Sequence, residues 1–335
     1  MKKILAIKNR RLGDTALWTA SLEALREFIG GPVDIAYPAA YAPLFELDPR
    51  FNQHYLLEPS LSSRWDNLRK IRQVNYDAVL NFHANNETAI LTFLSKGKTR
   101  FIHHHHRTPR FTKYSSTIPH VGVPMSAIER DLNVVRGLGW SGASPNPKLF
   151  VGSATKQKGE KLLGLSTQSG LKNVALSISA SRQSKQWALE KFISLAKILK
   201  DRYQLFVLYD FPPVSALWGN LKKLTHTIHT PDLTSLLGCL THMDGFIGAD
   251  SGVKHLAAAL EIPTVTLFGP ESIGEWHGYP TEKHRAIQIP VLCRDQNTET
   301  PNYAWCGYGI CPLASHACMS QISPEMIVQE IGSIL

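Results

Sequence analysis

The sequence lacks the features that mark secreted, membrane-spanning and disordered proteins. It has 5 cysteines among 335 residues, and no apolar run approaches the length needed to cross a bilayer. The N-terminal segment MKKILAIKNRR returns to charge too soon to form the apolar core of a signal peptide. With 43% hydrophobic and 19% charged residues, the composition is that of a globular chain. We therefore expect a cytoplasmic protein without a disulfide framework, which would meet a membrane only at its surface.

Acidic residues are scarce relative to basic ones. The 36 Lys and Arg against 27 Asp and Glu give a net charge of +9, which favours an acidic partner. Nucleic acid, a phosphorylated sugar and an anionic membrane surface all fit that description. The chain has no arginine-rich tract and no motif that interleaves aromatic and basic residues, so we expect no nucleic-acid partner.

One long stretch, from Thr88 to Ile128, contains no Asp or Glu at all. We interpret it as a surface that binds an anionic acceptor or a membrane, although a solvated loop would have the same composition. Consecutive histidines cannot all face one metal ion in a regular strand, so we assign the run of four histidines in this stretch to the basic surface. Its basic residues are Lys96, Lys98, Arg100, Arg107, Arg110 and Lys113, together with His103–His106.

Strand-like and helix-like segments alternate along both halves of the chain. Such alternation is typical of parallel sheets with right-handed crossovers. The turn-rich segment SGASPNPKLF interrupts the pattern near the middle. We predict an α/β protein with two Rossmann-like domains facing a central cleft, over residues 1–165 and 166–335, with a last helix at about 323–335. The strand candidates are KILAI, VDIAY, HYLL, DAVLNF and TRFI, then VALSIS, YQLFVLY, THTIH, GFIGA and PTVTLF.

The segment FIGADSGVKHLAAAL, residues 246–260, places a polar turn between a strand and a helix. Asp250 and Ser251 are both candidate N-caps, and Gly252 lets a ligand come close to the backbone. The unpaired N–H groups of a helix start attract anions such as a diphosphate. An ordinary capped helix is the alternative interpretation.

Two further segments follow strands, where the ligands of parallel sheets bind. SASRQSK carries Ser181, Arg182 and Lys185, which suit a phosphate at the start of the next helix, with a solvated basic turn as the alternative. RRLGD follows the first strand, and its Asp14 is either a helix cap or a general base whose carboxylate points into the cleft.

Arg10 and Arg11 precede Asp14 in that segment and would hold anionic groups of a substrate, unless they are merely solvated.

The sequence contains no Asp-x-Asp motif, the usual signature of a divalent cation that bridges a nucleotide diphosphate. Positive charge would then come from Lys185 and helix starts, which predicts metal-independent catalysis.

Four cysteines near the C-terminus could hold a structural zinc or iron, but they lack paired C-x₂-C spacing. Reduced cysteines packed in an irregular segment are the alternative. These residues are Cys293, Cys306, Cys311 and Cys318, with His316 among them.

Taken in their order along the chain, these segments resemble the motifs of glycosyltransferase family 9, the lipopolysaccharide heptosyltransferases. GADSGVKHLAAALEIPTVTLFGPES resembles the family's donor-binding signature, and RLGDTALWTASLEALR resembles its N-terminal motif. SASRQSKQW, ERDLNVVRGLG at 129–139 and CGYGICPLASHACMSQISPEMI also fit in order. The resemblance spans nearly the whole chain, and the combination is specific where each segment alone is weak.

The resemblance implies a fold of the GT-B type and an inverting transfer of L-glycero-D-manno-heptose from ADP-heptose. The implied acceptor is a Kdo or heptose sugar of the lipopolysaccharide inner core, at the cytosolic face of the inner membrane. By position, Asp14 is the implied catalytic base and Asp250 the acid that holds donor sugar hydroxyls. The implied residues at the diphosphate are Ser181, Lys185, Ser251, Gly252 and His255.

Three alternatives remain open: another nucleotide sugar or acceptor, an epimerase of the same fold, and a relative that binds nucleotide sugar or lipopolysaccharide without turnover. Intact Asp14, Lys185 and Asp250 favour catalysis. Glu271 departs from the family pattern because Thr is common there, so an acid stands among the expected diphosphate contacts. The segment YDFPP, after YQLFVLY, lies where a base and ribose could rest.

Overall fold

The computed structural model describes residues 3–82, 84–103, 116–118, 124–164, 170–296 and 301–335. The chain divides into two compact units, Met1–Phe150 and Val151–Leu335. Both are α/β units with parallel strands, which confirms the fold class expected from the sequence. Across the residues just given, no helix combines the length and the apolarity that a bilayer crossing requires.

The first unit is built on one parallel sheet. Its strands are β1 (Ile4–Ile7), β2 (Val33–Pro38), β3 (Phe51–Leu57), β4 (Ala78–Asn81), β5 (Thr99–His103) and β6 (Ser116–Ile118). Its helices are α1 (Leu12–Ile29), α2 (Leu61–Val74), α3 (Asn86–Leu94) and α4 (Ala127–Arg136), with a 3-10 helix at Ala39–Leu44. The strand order is β3-β2-β1-β4-β5-β6, so the apolar KILAI segment becomes the buried strand β1 at the centre of the sheet.

The second unit repeats this plan with a second parallel sheet. Its strands are β7 (Lys172–Ser177), β8 (Tyr203–Tyr209), β9 (His226–His229), β10 (Gly245–Ala249), β11 (Thr264–Phe268) and β12 (His284–Gln288). Its longer helices are α5 (Ser153–Leu163), α6 (Leu189–Leu199), α8 (Leu233–Leu240), α9 (Gly252–Ala259) and α13 (Pro324–Ile334). Its shorter helices are α7 (Trp218–Lys222), α10 (Ile273–Trp276), α11 (Leu292–Asp295) and α12 (Ala317–Ser320), with 3-10 helices at Gln183–Lys185 and Pro301–Tyr303. The strand order is β12-β11-β10-β7-β8-β9.

Two strands escape the sequence analysis for identifiable reasons. The strand β6 has three residues and lies within the acid-free stretch, and β12 reads HRAIQ, which lacks an apolar run. Both are outermost in their sheets. An edge strand needs less apolar surface than a central one, so its hydrophobic periodicity can be too weak to predict it.

The boundary between the units differs from the one expected at residue 165. The structure assigns α5 to the second unit, because α5 packs there against α8 through two glycines. A Cβ on Gly159 would lie 2.0 Å from the carbonyl carbon of Gly238, and a Cβ on Gly238 would lie 2.4 Å from the oxygen of Thr155. The backbones of the two helices therefore meet directly, a contact that no local sequence pattern reveals.

We predict that Gly159→Ala destabilises the second unit by about 1–3 kcal/mol, because the added methyl group forces two backbones apart. Urea unfolding followed by circular dichroism measures the change. Gly219→Ala in α7 is the matched control, since a Cβ there meets nothing within 4 Å, and we expect it to be neutral or slightly stabilising. Equal unfolding midpoints for the two variants would contradict the close approach of α5 and α8.

Candidate active site

The strand order reverses once in each sheet, and the predicted site segments lie at these reversals. In the first unit the chain returns from β3 to β4 beside β1, and in the second it returns from β9 to β10 beside β7. Ligands of parallel α/β sheets bind beyond the carboxyl ends of strands at such reversals. The segments that contain Asp14, Lys185 and Asp250 follow β1, β7 and β10, respectively.

Asp14 lies in the first turn of α1 and does not cap the helix. The helix begins at Leu12, and Arg11 occupies the cap position without a side-chain hydrogen bond. The Asp14 side chain is buried, and within the described part of the chain its Oδ1 has no hydrogen-bond partner. A carboxylate near a helix N-terminus is stabilised by the helix dipole, and a buried oxygen without a donor is rare. Asp14 is therefore placed to accept a hydrogen bond from a ligand.

The predicted acceptor-binding arginines are not all brought together. Arg10 and Arg11 lie in the β1–α1 segment with Asp14. Arg100 is the second residue of β5, and its Nη1 donates to the carbonyl oxygen of Phe93 at 2.8 Å. Because the strands are parallel, Arg100 lies towards the amino edge of the sheet, away from the edge that carries Asp14. The other three predicted residues, Arg107, Arg110 and Lys113, lie outside the described residues.

A buried ion pair at the end of β1 escapes the sequence analysis. Lys8 directly follows the strand, is 1% exposed and pairs with Asp131 of α4. A charged residue immediately after a central strand is the signal that could have revealed it. The pair fixes α4 to the strand that leads into the Asp14 segment, and opening it would leave a buried charge at a cost of about 3–5 kcal/mol.

Asp250 is the centre of the cluster in the second unit. Its Oδ2 accepts from Nζ of Lys185 at 2.7 Å, and its Oδ1 accepts from Nζ of Lys254 at 3.1 Å. Burial raises the pKa of the Asp250 carboxyl, but the charges of Lys254 and Lys185 outweigh burial and leave that pKa below its ordinary value. Asp250 is therefore an ionised, fully partnered carboxylate.

The helix after Asp250 is capped by Ser251, not by Asp250. The Ser251 side chain accepts from the N–H of Lys254, and Gly252 is the first residue of α9. Within α9 the polar side chains of Lys254 and His255 are buried together with its apolar ones. The structure thus decides between the two candidate caps and frees the Asp250 carboxylate for the cluster.

Lys254 and His255 owe their properties to burial. Burial lowers the pKa of Lys254 to about 8, against the opposing effect of Asp250, and its Nζ also donates to the carbonyl oxygen of Trp276 at 2.7 Å. Burial likewise holds the pKa of His255 well below its ordinary value. His255 Nδ1 lies 2.6 Å from the hydroxyl of Tyr279, and its Nε2 lies 3.8 Å from Asp250 Oδ1. His255 is thus a neutral member of the cluster.

The SASRQSK segment joins the cluster in a way that differs from the prediction. Ser181 is exposed, and a 3-10 helix follows it, whereas α6 starts only at Leu189. The segment therefore supplies no start of a long helix. Arg182 pairs instead with Glu271, and Lys185 Nζ lies 3.6 Å from the same carboxylate.

Five charged side chains from three segments, which follow β7, β10 and β11, thus converge in the second unit. Three of them are cationic and two are carboxylates, which leaves one excess positive charge beside the start of α9. A site of this kind suits an anionic group that displaces a carboxylate from its cation. The five residues are Arg182, Lys185, Lys254, Asp250 and Glu271.

The C-terminal tail holds two of these segments in place. Ser184 donates to the carbonyl oxygen of Tyr308 at 2.6 Å, and His316 Nε2 lies 2.7 Å from the carbonyl oxygen of Ser184. The N–H of Cys306 donates to the carbonyl oxygen of Pro270, directly before Glu271. The contacts of Ser184 join positions more than a hundred residues apart, and the contact between Cys306 and Pro270 joins positions about 35 residues apart. The local sequence therefore does not reveal them.

No disulfide joins the four C-terminal cysteines, and the structural metal considered for them stays a prediction. Among the described residues, no three His, Cys, Asp or Glu side chains are arranged to hold a metal ion. Cys293 is exposed on α11 whereas Cys318 is buried on α12, and burial raises the pKa of the Cys318 thiol to about 11. The cysteines lie in the tail as free thiols.

A cavity of 420 Å³ lies beside the cluster, between the segments that follow β7 and β8. Gln183 and Gln186 line one side, and Pro213 of the YDFPP segment lines another. Trp187 and Met319 supply apolar surface. A flat, partly polar group fits such a lining.

Two Rossmann-like units, with a cationic cluster at the strand reversal of the second, are the architecture of the GT-B glycosyltransferases. The chain belongs to glycosyltransferase family 9: the sequence model described as "Glycosyltransferase family 9 (heptosyltransferase)" matches residues 64–301. This match confirms the family resemblance and the prediction of a glycosyltransferase.

Known heptosyltransferases are similar to this chain over most of its length. The lipooligosaccharide heptosyltransferase 2 of Campylobacter jejuni is 21% identical over 337 aligned positions, which cover 96% of each chain. The lipopolysaccharide heptosyltransferase 3 of Escherichia coli is 24% identical and covers 77% of this chain and 80% of its own. The solved structure of E. coli ADP-heptose lps heptosyltransferase II shares the fold, with a TM-score of 0.76, 19% identity, and coverage of 99% and 98%.

We predict that the second unit loses stability as the pH falls from about 6.5 to 4. Burial lowers the pKa of both His277 and His284 to about 4, from an ordinary value of 6.5. Over this window the unfolded chain binds protons that the folded chain does not, so the free energy of unfolding falls, by about 1–2 kcal/mol for each histidine at about pH 5.

Urea-unfolding midpoints at about pH 7.5 and pH 5 measure the effect. His277→Gln should reduce the difference between the two midpoints, because it removes one of the protons bound on unfolding. His226→Gln, at an exposed position of β9, is the control and should leave the difference unchanged. A wild-type midpoint that rises towards pH 5 would refute the assignment.

Proposed function

We propose that the chain transfers L-glycero-D-manno-heptose from ADP-heptose to a Kdo or heptose sugar of the lipopolysaccharide inner core, with inversion at the anomeric carbon. Membership of family 9 supports the reaction class. The names of the relatives support the donor and the class of acceptor, since they are lipopolysaccharide or lipooligosaccharide heptosyltransferases, and one is named for ADP-heptose.

The contrast between two buried carboxylates is the observation that carries the proposal. Asp14 has an oxygen without a partner, so it can take the proton of an acceptor hydroxyl. Asp250 is held by two ammonium groups, so it stays ionised and can accept hydrogen bonds from sugar hydroxyls. The proposal requires both carboxylates to face one bound donor and acceptor.

In the proposed step, the acceptor oxygen attacks the anomeric carbon from the face opposite the diphosphate. As the new C–O bond forms, Asp14 takes the hydroxyl proton, and the bond to the diphosphate breaks with its electron pair leaving on ADP. Arg182, Lys185 and the N–H groups at Gly252 would neutralise the charge that develops on ADP. A positioned base contributes about 10²–10⁴-fold, and the charge stabilisation a comparable or larger factor.

Adenine and ribose are assigned to the 420 Å³ cavity beside the cluster. The cavity brings Pro213 of the YDFPP segment next to Gln183 and Gln186, whose amides can hydrogen-bond a purine edge.

Arg10 and Arg11 are assigned to anionic groups of the acceptor, since they lie in the same segment as Asp14. We place the reaction at the cytosolic face of the inner membrane, with no metal required for catalysis.

Release of ADP from ADP-heptose, with and without lipopolysaccharide truncated to Kdo, tests the proposal in the presence of EDTA. We expect release that depends on the acceptor and falls by at least about 10²-fold in Asp14→Asn, because the base is lost. Glu190→Gln is the matched control, since Glu190 also lies in the first turn of a helix. It loses the same dipole interaction and should keep full turnover.

Full turnover in Asp14→Asn would refute the assignment of the base. Donor binding without release would refute the Kdo acceptor, and longer core acceptors would then separate another acceptor from a non-catalytic binder. Loss of activity in EDTA would refute the metal-independent mechanism.

We further predict that Glu271→Gln strengthens ADP binding by about tenfold, because it releases Arg182 and Lys185 from a competing carboxylate. Calorimetry with ADP measures the change. Glu282→Gln, at an exposed position between β11 and β12, is the control and should leave the affinity unchanged. Weaker ADP binding in Glu271→Gln would mean that the carboxylate itself contacts the donor.

A further inference from the structure

The helices α2 and α3 form an apolar groove on the first unit, apart from the segment that carries Asp14. The groove encloses 220 Å³. Two charged residues in its lining, Arg64 and Glu87, pair with each other at 3.0 Å between Nε and Oε1, so they neutralise one another. The apolar lining consists of Leu57, Leu61, Trp65, Leu68, Ile90, Leu91 and Leu94.

Large apolar side chains at the mouth of this groove are open to solvent. Leu61 is 70% exposed and Trp65 is 66% exposed, and they lie one turn apart on α2. Ile90 of α3 adds a third exposed apolar side chain, at 38%. Contiguous exposed apolar surface of this kind marks an interaction site rather than a solvated face.

The exposed side of α2 is also basic. Arg69 and Arg72 follow Trp65 at i+4 and i+7, so all three share one side of the helix. The acid-free stretch begins at Thr88 within α3, after Glu87, and exposed Lys96 follows the end of that helix. Within α2 the basic residues are Arg64, Arg69, Lys70 and Arg72, against one acid, Asp66.

We infer that the face formed by α2 and α3 docks on an anionic phospholipid bilayer, with Leu61 and Trp65 entering the headgroup region. The positive charge of α2 favours this partner. Arg69 and Arg72 share the exposed side of the helix with Trp65, so their guanidinium groups would meet lipid phosphates there. A basic amphipathic helix that exposes Trp and Leu beside Arg is the pattern of interfacial binding, and Trp favours the headgroup level. The inference does not rest on the proposed donor or acceptor.

Sedimentation of the full-length protein with vesicles tests the inference. We expect binding to vesicles of phosphatidylglycerol and phosphatidylethanolamine, weakened by salt, and little binding to phosphatidylcholine. Arg69→Glu/Arg72→Glu and Leu61→Ser/Trp65→Ser should each weaken binding about tenfold or more. The matched controls lie on the second unit: Lys156→Glu/Lys197→Glu for charge and Leu292→Ser, at a side chain 80% exposed, for apolar surface.

Trp65→Phe gives a second readout that does not depend on loss of binding. Phe keeps an apolar ring at the surface, so this variant should still sediment with anionic vesicles. It should lose the part of the tryptophan emission that brominated lipid quenches in the wild type. Circular dichroism of each variant establishes that the first unit is folded.

Three results would overturn the inference. The first is wild-type protein that does not bind anionic vesicles, and the second is α2 variants that bind as tightly as the controls. The third is a dimer that Trp65→Ser dissociates in the absence of any vesicle binding, which would make the groove an interface between copies. ADP release with a soluble acceptor is measured in parallel, so a failed transferase assay and a failed docking assay are distinguishable.

Discussion

The ionised carboxylate of Asp250, held between Lys185 and Lys254, is the interaction on which the second unit's site depends. Leaving one charge of such a buried group unpaired would cost about 3–5 kcal/mol, so the three side chains must keep their places together. The two lysines come from different segments, one after β7 and one within α9. The carboxylate thereby joins two strand ends and fixes where positive charge stands at the strand reversal.

The C-terminal tail supplies hydrogen bonds that the charged segments of this site need. The charged segments around Lys185 and Glu271 are irregular, and irregular backbone must find hydrogen-bond partners when it is buried. The tail supplies them through Tyr308, His316 and Cys306. In two of these three contacts the partner on the tail is a backbone group, so the tail acts there through its main chain.

The sequence was sufficient for the fold class and the two-unit plan, and it led to the segments that we propose carry the site. Apolar runs separated by helix-length segments specify parallel sheets, and the positions where such strands end specify where polar residues such as Asp14 and Asp250 gather. The edge strands β6 and β12 and the boundary at Phe150 could not be predicted from it. The boundary depends on the contact between Gly159 and Gly238, whose separation in the chain hides it from any local pattern.

What the sequence determined by itself is therefore the chemistry available at each strand end: a carboxylate after β1, cations after β7, and a carboxylate with a helix start after β10. Only the tertiary structure decided how these groups pair. It made Ser251 the cap, turned Lys254 inward, and left Asp14 with an oxygen that has no partner in the described residues. Pairing depends on distances between segments far apart in the chain and on burial, which strengthens every charge interaction, and neither quantity is local to the sequence.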